Sequence, residues 1–212
     1  MSRSLYSVIL MDEVVREVDR LAMLQGTNRS NLINQILAEA VSYTTPEMRI
    51  NTIFKTIEEQ LYGNDMVTYI APHQSTMSLK SSLEYRYRPT IKYEVELYRD
   101  RDEGGIGQLS VIFRTQSREL LTQMDRFFRL WSHIEKELRP SEDIRYALYD
   151  GRFLRSIQVD EGRNYTSQEL ADAISRYIKL FDNSMKAFLA GTRGEEDLRA
   201  ALKAYLQESV LI

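Results

Sequence analysis

The chain has 212 residues, a formal net charge of -3, and 43% hydrophobic and 28% charged side chains, which suits one small module plus one domain of ordinary size. Without cysteine it has neither a disulfide framework nor a thiolate metal site. No window is long and apolar enough to span a bilayer, and the first residues lack the charged-then-apolar run of a secretory signal. A cytoplasmic protein that does not engage a membrane is expected.

In the first segment, Tyr6, Val8 and Leu10 alternate with Ser7 and Ile9, the period-2 pattern of a strand with one buried face. Asp12 is placed to cap a helix carrying Val14, Val15, Val18, Leu21 and Ala22, which Gly26 ends. Asn28 is a good N-cap for a second helix, whose apolar stripe is Leu32, Ile33, Ile36, Leu37, Ala40 and Val41. One strand and two helices leave too little core to fold alone, so the missing half is expected from a second copy pairing strand to strand.

This order and spacing resembles the ribbon-helix-helix family of DNA-binding proteins, the CopG, Arc and MetJ type. The resemblance covers residues 1–44. Ser7-Val8-Ile9-Leu10-Met11-Asp12-Glu13-Val14 lies on the family's "SVRLPDEV" pattern, and Gly26-Thr27-Asn28-Arg29-Ser30-Asn31-Leu32-Ile33 on its "GxSRSxLI" pattern. The resemblance implies a homodimer that lays a two-stranded antiparallel ribbon in the major groove of double-stranded DNA, with Leu5, Ser7 and Ile9 facing the bases and Arg3 beside them. Asn28, Arg29 and Ser30, at the start of the second helix, would clamp phosphates through free backbone N–H groups. The sequence departs from the family at Ile9, where a long polar or basic reader is common, and at Met11, where a proline often starts the first helix. The module also carries slightly more acid than base, Arg3, Arg16, Arg20 and Arg29 against Asp12, Glu13, Glu17, Asp19 and Glu39. A module used only to dimerise or to grip a protein therefore stays open.

Residues 46–212 read as an α+β domain. Thr45 caps and Pro46 starts a helix over 46–62, with Ile50, Ile53, Phe54, Ile57 and Leu61 on the face that packs against the rest of this domain. Strands are expected within 66–114: a short run at Met66–Ile70, one strand from Leu79 to Tyr87, one from Ile91 to Leu97, and one from Leu109 to Phe113. Ala71-Pro72-His73-Gln74 reads as a break and Arg99 to Gly107 as a charged, glycine-rich turn. A helix over 117–138 repeats Leu120, Met124, Phe127, Trp131, Ile134 and Leu138 at steps of four and three and covers the resulting antiparallel sheet. A hairpin over 144–159 turns at Asp150-Gly151. Thr166 and Glu169 form a capping box for a helix over 167–190, and a last helix occupies 195–207. The large residues around Phe127, Phe128, Trp131, Phe181 and Phe188 read either as an interface or ligand cavity, or as a thick core. The fold class is thus α+β, a ribbon-helix-helix dimerisation module followed by an antiparallel sheet covered by helices.

No phosphate loop, dinucleotide fingerprint, nucleophile elbow or metal-ligand spacing occurs, and His73 and His133 read as solvated or satisfied. No enzymatic activity and no cofactor are expected. Lys80, Arg86, Arg88 and Lys92, interleaved with Tyr85 and Tyr87, form a candidate second basic surface for RNA, against which stands a core-and-ion-pair reading in which the tyrosines point inward and Glu84, Glu94 and Glu96 pair with the basic groups. A small barrel beside a ribbon-helix-helix module also faintly resembles the WYL-type accessory proteins of RNA-targeting CRISPR systems, although the Trp-Tyr-Leu tripeptide is absent. Two functions stand as expectations: a DNA-binding transcriptional regulator whose larger domain senses a ligand or partner or drives assembly, and an adaptor, for plasmid partition or RNA binding, that uses the module mainly to dimerise.

Overall fold

The computed structural model describes residues 5–61, 66–70, 75–83, 89–102, 105–149 and 151–212, with the backbone alone for 66–70, 101 and 102. Helices α1 (Asp12–Leu24), α2 (Arg29–Ala40) and α3 (Pro46–Leu61) precede strands β1 (Met66–Ile70), β2 (Thr76–Ser82), β3 (Thr90–Asp102) and β4 (Gly105–Phe113). Helix α4 (Arg118–Leu138), the hairpin β5 (Tyr146–Tyr149) and β6 (Arg152–Ile157), and helices α5 (Ser167–Leu189) and α6 (Glu195–Tyr205) complete the chain. The class is mixed α+β, with a six-stranded antiparallel sheet of order β1-β2-β3-β4-β6-β5.

The expected strand at Tyr6–Leu10 is not an element of the single chain. Residues 5–11 carry no strand pairing, so the first regular element is helical. A strand exists only by exchanging hydrogen bonds with a neighbour, and the neighbour expected here is the same segment of another chain. Asp12 is the first helical residue and not the cap: Met11 occupies the cap position without a side-chain bond, and Asp12 and Glu13 instead place negative charge at the positive end of the helix dipole. Asn28 caps α2 as expected, its side chain accepting from Asn31 N at 2.9 Å.

Both N-terminal helices end in the same way. After α1, Thr27 N donates to Ala22 O and Gly26 N to Met23 O, with Gly26 in the left-handed region at φ 62°. After α2, Tyr43 N donates to Ala38 O and Ser42 N to Glu39 O, but the left-handed position is held by Ser42 at φ 55°. The second turn therefore stores strain that a glycine would not.

The strand expected from Leu79 to Tyr87 begins earlier, at Thr76, because Met77 continues the buried row opposite Val95; it ends at Ser82. Leu83 is still buried, while Glu84 to Arg88 and the expected break at Ala71 to Gln74, with His73, lie outside the described residues. Gly105 and Gly107, expected in a turn, belong to β4, because β3 and β4 are long enough to pair up to Asp102 and Gly105. A Cβ on Gly107 would overlap Glu96 O, so this position needs the close approach that only glycine permits.

The sheet buries one face. Leu79, Tyr93, Val111 and Phe153 lie in one row across β2, β3, β4 and β6, all buried, and α3, α4, α5 and α6 contribute to the same core. Phe127, Phe128, Trp131 and Phe181 are buried in it, with Phe128 stacked on Phe153 at 4.9 Å between ring centres. The aromatic surplus of α4 and α5 is therefore spent on a thick core. Val18, Ala22 and Leu32 form a separate small cluster between α1 and α2.

Candidate nucleic-acid interface

Residues 5–43 hold the largest unpartnered apolar surface of the described chain. Among the described side chains, every large apolar one that stands exposed, apart from Tyr149, lies between Leu5 and Tyr43. Tyr6 is 83% exposed and Val8 70%; these are the residues whose alternation with Ser7 and Ile9 leads to the expectation of a strand with one buried face. Ile36, Leu37 and Val41 on and just after α2 and Val14 on α1 are exposed as well, so the helical hairpin covers only part of its own stripe.

Of the residues expected to face bases, Leu5 and Ile9 are fully exposed and Ser7 is exposed beside them; Arg3 lies outside the described residues. Asn28, Arg29 and Ser30 come together at the exposed start of α2. The amides of Arg29 and Ser30 occupy the first turn, where no intrahelical acceptor exists, and thus point outward as a phosphate site requires. Arg29 itself is engaged: Nε donates to Asp19 Oδ1 at 2.6 Å and Nη2 to Asp19 Oδ2, tying the start of α2 to α1. This hydrogen bond holds the Asp19 carboxyl below its ordinary value and raises Arg29. Both side chains are about half exposed, so solvent screens the pair.

The second basic surface is brought together only in part. Lys80 lies directly opposite Lys92 on the open face of the sheet, and the row continues through Ile112 to Arg152. Arg86 and Arg88 lie outside the described residues. Glu94 sits in the middle of this face, with Lys92 Nζ at 2.5 Å and Arg152 Nη2 at 3.8 Å from its carboxylate oxygens. At Lys92 the ion-pair arrangement is the one present.

Comparison with protein-family models, with curated proteins and with solved structures gives no match.

Two buried polar clusters were missed by the sequence reading. On β6, Arg155 shares the core face with Phe153 and Ile157 and is fully buried; its Nη2 donates to Glu135 Oε1 of α4 at 2.6 Å and its Nε to Oε2 at 3.1 Å. The guanidinium lies 4.1 Å from the Tyr177 ring centre, Tyr177 Oη donates to Glu135 Oε2 at 2.8 Å, and Trp131 Nε1 donates to Tyr177 Oη at 2.9 Å. Arg139, also buried, lies 3.5 Å from Glu135 and pairs with Glu142. Burial pushes the Glu135 carboxyl up, but the Arg155 charge and hydrogen bonds outweigh it and leave the group below its ordinary value. The second cluster is Asp182 of α5, which accepts from Tyr93 Oη at 2.7 Å, Ser81 Oγ at 3.1 Å and Lys186 Nζ at 2.7 Å. Both clusters join helices to the sheet. The signal in the sequence was Arg155 itself, a cation at a core-facing step between Phe153 and Ile157.

Among the described residues no group of histidine and acidic side chains is placed to hold a metal ion, and no helix is long and apolar enough to cross a membrane.

Proposed function

We propose that residues 1–44 form a ribbon-helix-helix homodimer through the segment around Tyr6, Val8 and Leu10, and that the dimer binds double-stranded DNA as a cytoplasmic transcriptional regulator. The observation that carries this reading is the concentration of exposed apolar side chains between Leu5 and Tyr43, on the faces that a second copy would cover. The outward first-turn amides of Arg29 and Ser30, with Asn28 as cap, supply the matching phosphate contacts. In this reading the larger domain senses a ligand or partner. It is tied closely to the module, since only residues 41–45 separate α2 from α3 and α3 is built into the core.

An adaptor that dimerises through the same segment is the second reading. It is favoured by the apolar reader positions Leu5 and Ile9 and by the engagement of Arg29 with Asp19. Binding of mixed-sequence duplex DNA and of single-stranded RNA across a salt series separates the two, because neutralised phosphates leave a steep salt slope. The regulator reading expects duplex binding that weakens with salt, falls for all sequences alike in Arg29→Ala plus Ser30→Ala, and changes sequence preference in Ser7→Ala. Duplex binding untouched by these changes, or no duplex binding at low salt, refutes it.

A further inference from the structure

A cleft of about 220 Å³ opens where the start of α3, the end of β3, the start of β4 and the segment before α5 meet. Its floor is apolar, with Ile50, Ile53, Leu97 and Leu170 all buried. Its mouth carries two arginines, Arg49 and Arg99. Arg99 Nε lies 3.2 Å from Glu47 Oε1, so that charge is compensated. Arg49 Nη2 donates to the carbonyl of Tyr165, a neutral acceptor, and Arg49 has no carboxylate partner among the described residues. A guanidinium offers five donors, so Arg49 keeps both its charge and most of its hydrogen-bonding capacity at the rim.

We infer that this cleft binds a small monocarboxylate with a flat or short apolar body, the body on the isoleucine and leucine floor and the carboxylate on Arg49. The volume falls below the roughly 300 Å³ at which sites for drug-sized ligands begin, which limits the ligand to one or two fused rings or a short chain. A planar anion is what a guanidinium fork binds in preference to a neutral acceptor. Binding here rests on, and deepens, the sensing role proposed for the larger domain. It also gives that role a route: Thr44 and Thr45 line the same cleft, and Thr45 caps α3 with Oγ1 accepting from Met48 N at 3.2 Å, so the wall of the cleft is the link from α2.

Calorimetric titration of the full chain tests this with indole-3-acetate, phenylpropionate and octanoate as probes, and with indole-3-acetamide as the neutral match for the first. At least one acid is expected to bind with a Kd below about 1 mM, and the amide roughly tenfold or more weaker than indole-3-acetate if that acid is the one bound. Arg49→Gln should weaken acid binding by a similar factor, and Ile106→Phe, which fills the cleft, should abolish it. Binding by none of the three acids, or equal binding of indole-3-acetate and its amide, overturns the inference whether or not the variants fold. Because no DNA is present, failure here leaves the DNA-binding reading standing, and failure of DNA binding leaves this one.

Discussion

Replacing Glu135 by Gln removes one negative charge from a site where Arg155 is fully buried and Arg139 is nearly so. Glutamine keeps the shape and one acceptor, so Tyr177 Oη can still find a partner; the lost quantity is the charge that compensates Arg155 across contacts of 2.6 and 3.1 Å. Breaking a buried ion pair from one side costs roughly 3–5 kcal/mol, since the remaining charge stays desolvated. For a chain of this size each kcal/mol moves the melting temperature by roughly 2–4 °C, so a fall of roughly 6–20 °C is expected. Urea unfolding followed by far-UV circular dichroism reads the midpoint, and an unchanged slope would confirm that the native state alone is affected. The paired replacement Glu135→Gln with Arg155→Met should recover most of the loss, because the glutamine still accepts from Tyr177 and no uncompensated Arg155 charge remains. A loss below about 1 kcal/mol for Glu135→Gln would refute the reasoning, by showing that water or another acid compensates Arg155.

Three further outcomes are expected from the geometry. Gly107→Ala forces a Cβ into Glu96 O, a backbone atom that cannot move without breaking the β3–β4 ladder, and is expected to cost about 1–3 kcal/mol in the same urea assay. Ser42→Gly relieves the left-handed strain after α2 and should stabilise by about 0.5–1 kcal/mol, whereas Gly191→Ser places a side chain at φ 70° and should destabilise by a similar amount. The pH profile should fall on both sides. Tyr93 is raised by burial and then by the Asp182 charge, and Tyr177 by burial and then, against Arg155, by the Glu135 charge; both exceed the ordinary value of 10, so their contribution is complete below that pH and lost as the pH rises beyond it. Glu135 lies below its ordinary 4.5, so its contribution is present above that pH and lost as the pH falls; the urea midpoint should therefore be flat between about pH 6 and 9 and drop outside.

Elements with a long apolar period were legible in the sequence. Helices α3 to α6 start and stop within about two residues of expectation, because Pro46, Ser117, the Thr166–Glu169 capping box and Gly191 act locally on the backbone. The sheet was less legible. That β6 pairs with β4 depends on how far α4 carries the chain across the core, which no local pattern encodes. Glycines at 105 and 107 read as a turn because their role, allowing β3 and β6 to approach β4, is set by tertiary contact. Of the buried Arg155 cluster only Arg155 at its core-facing step left a local signal; its partners could not be read, since Glu135, Arg155 and Tyr177 meet from elements far apart in sequence. At the candidate interface the sequence placed Asn28, Arg29 and Ser30 at the start of α2, but the tie of Arg29 to Asp19 spans two helices and could not be read. The strand expected at Tyr6–Leu10 is legible only as a pattern, because residues 5–11 carry no strand pairing within the chain.

If residues 5–43 are one half of a shared core, as proposed, sedimentation equilibrium of the full chain at micromolar concentration shows it most directly. A dimer is expected for the unaltered chain, and a monomer for Val8→Asp, because a charge at the centre of the strand face would be buried without a partner at a cost of several kcal/mol. The α+β core should be unaffected, with the same urea midpoint in both proteins. A monomeric unaltered chain, or a Val8→Asp variant that remains dimeric, would contradict the shared core.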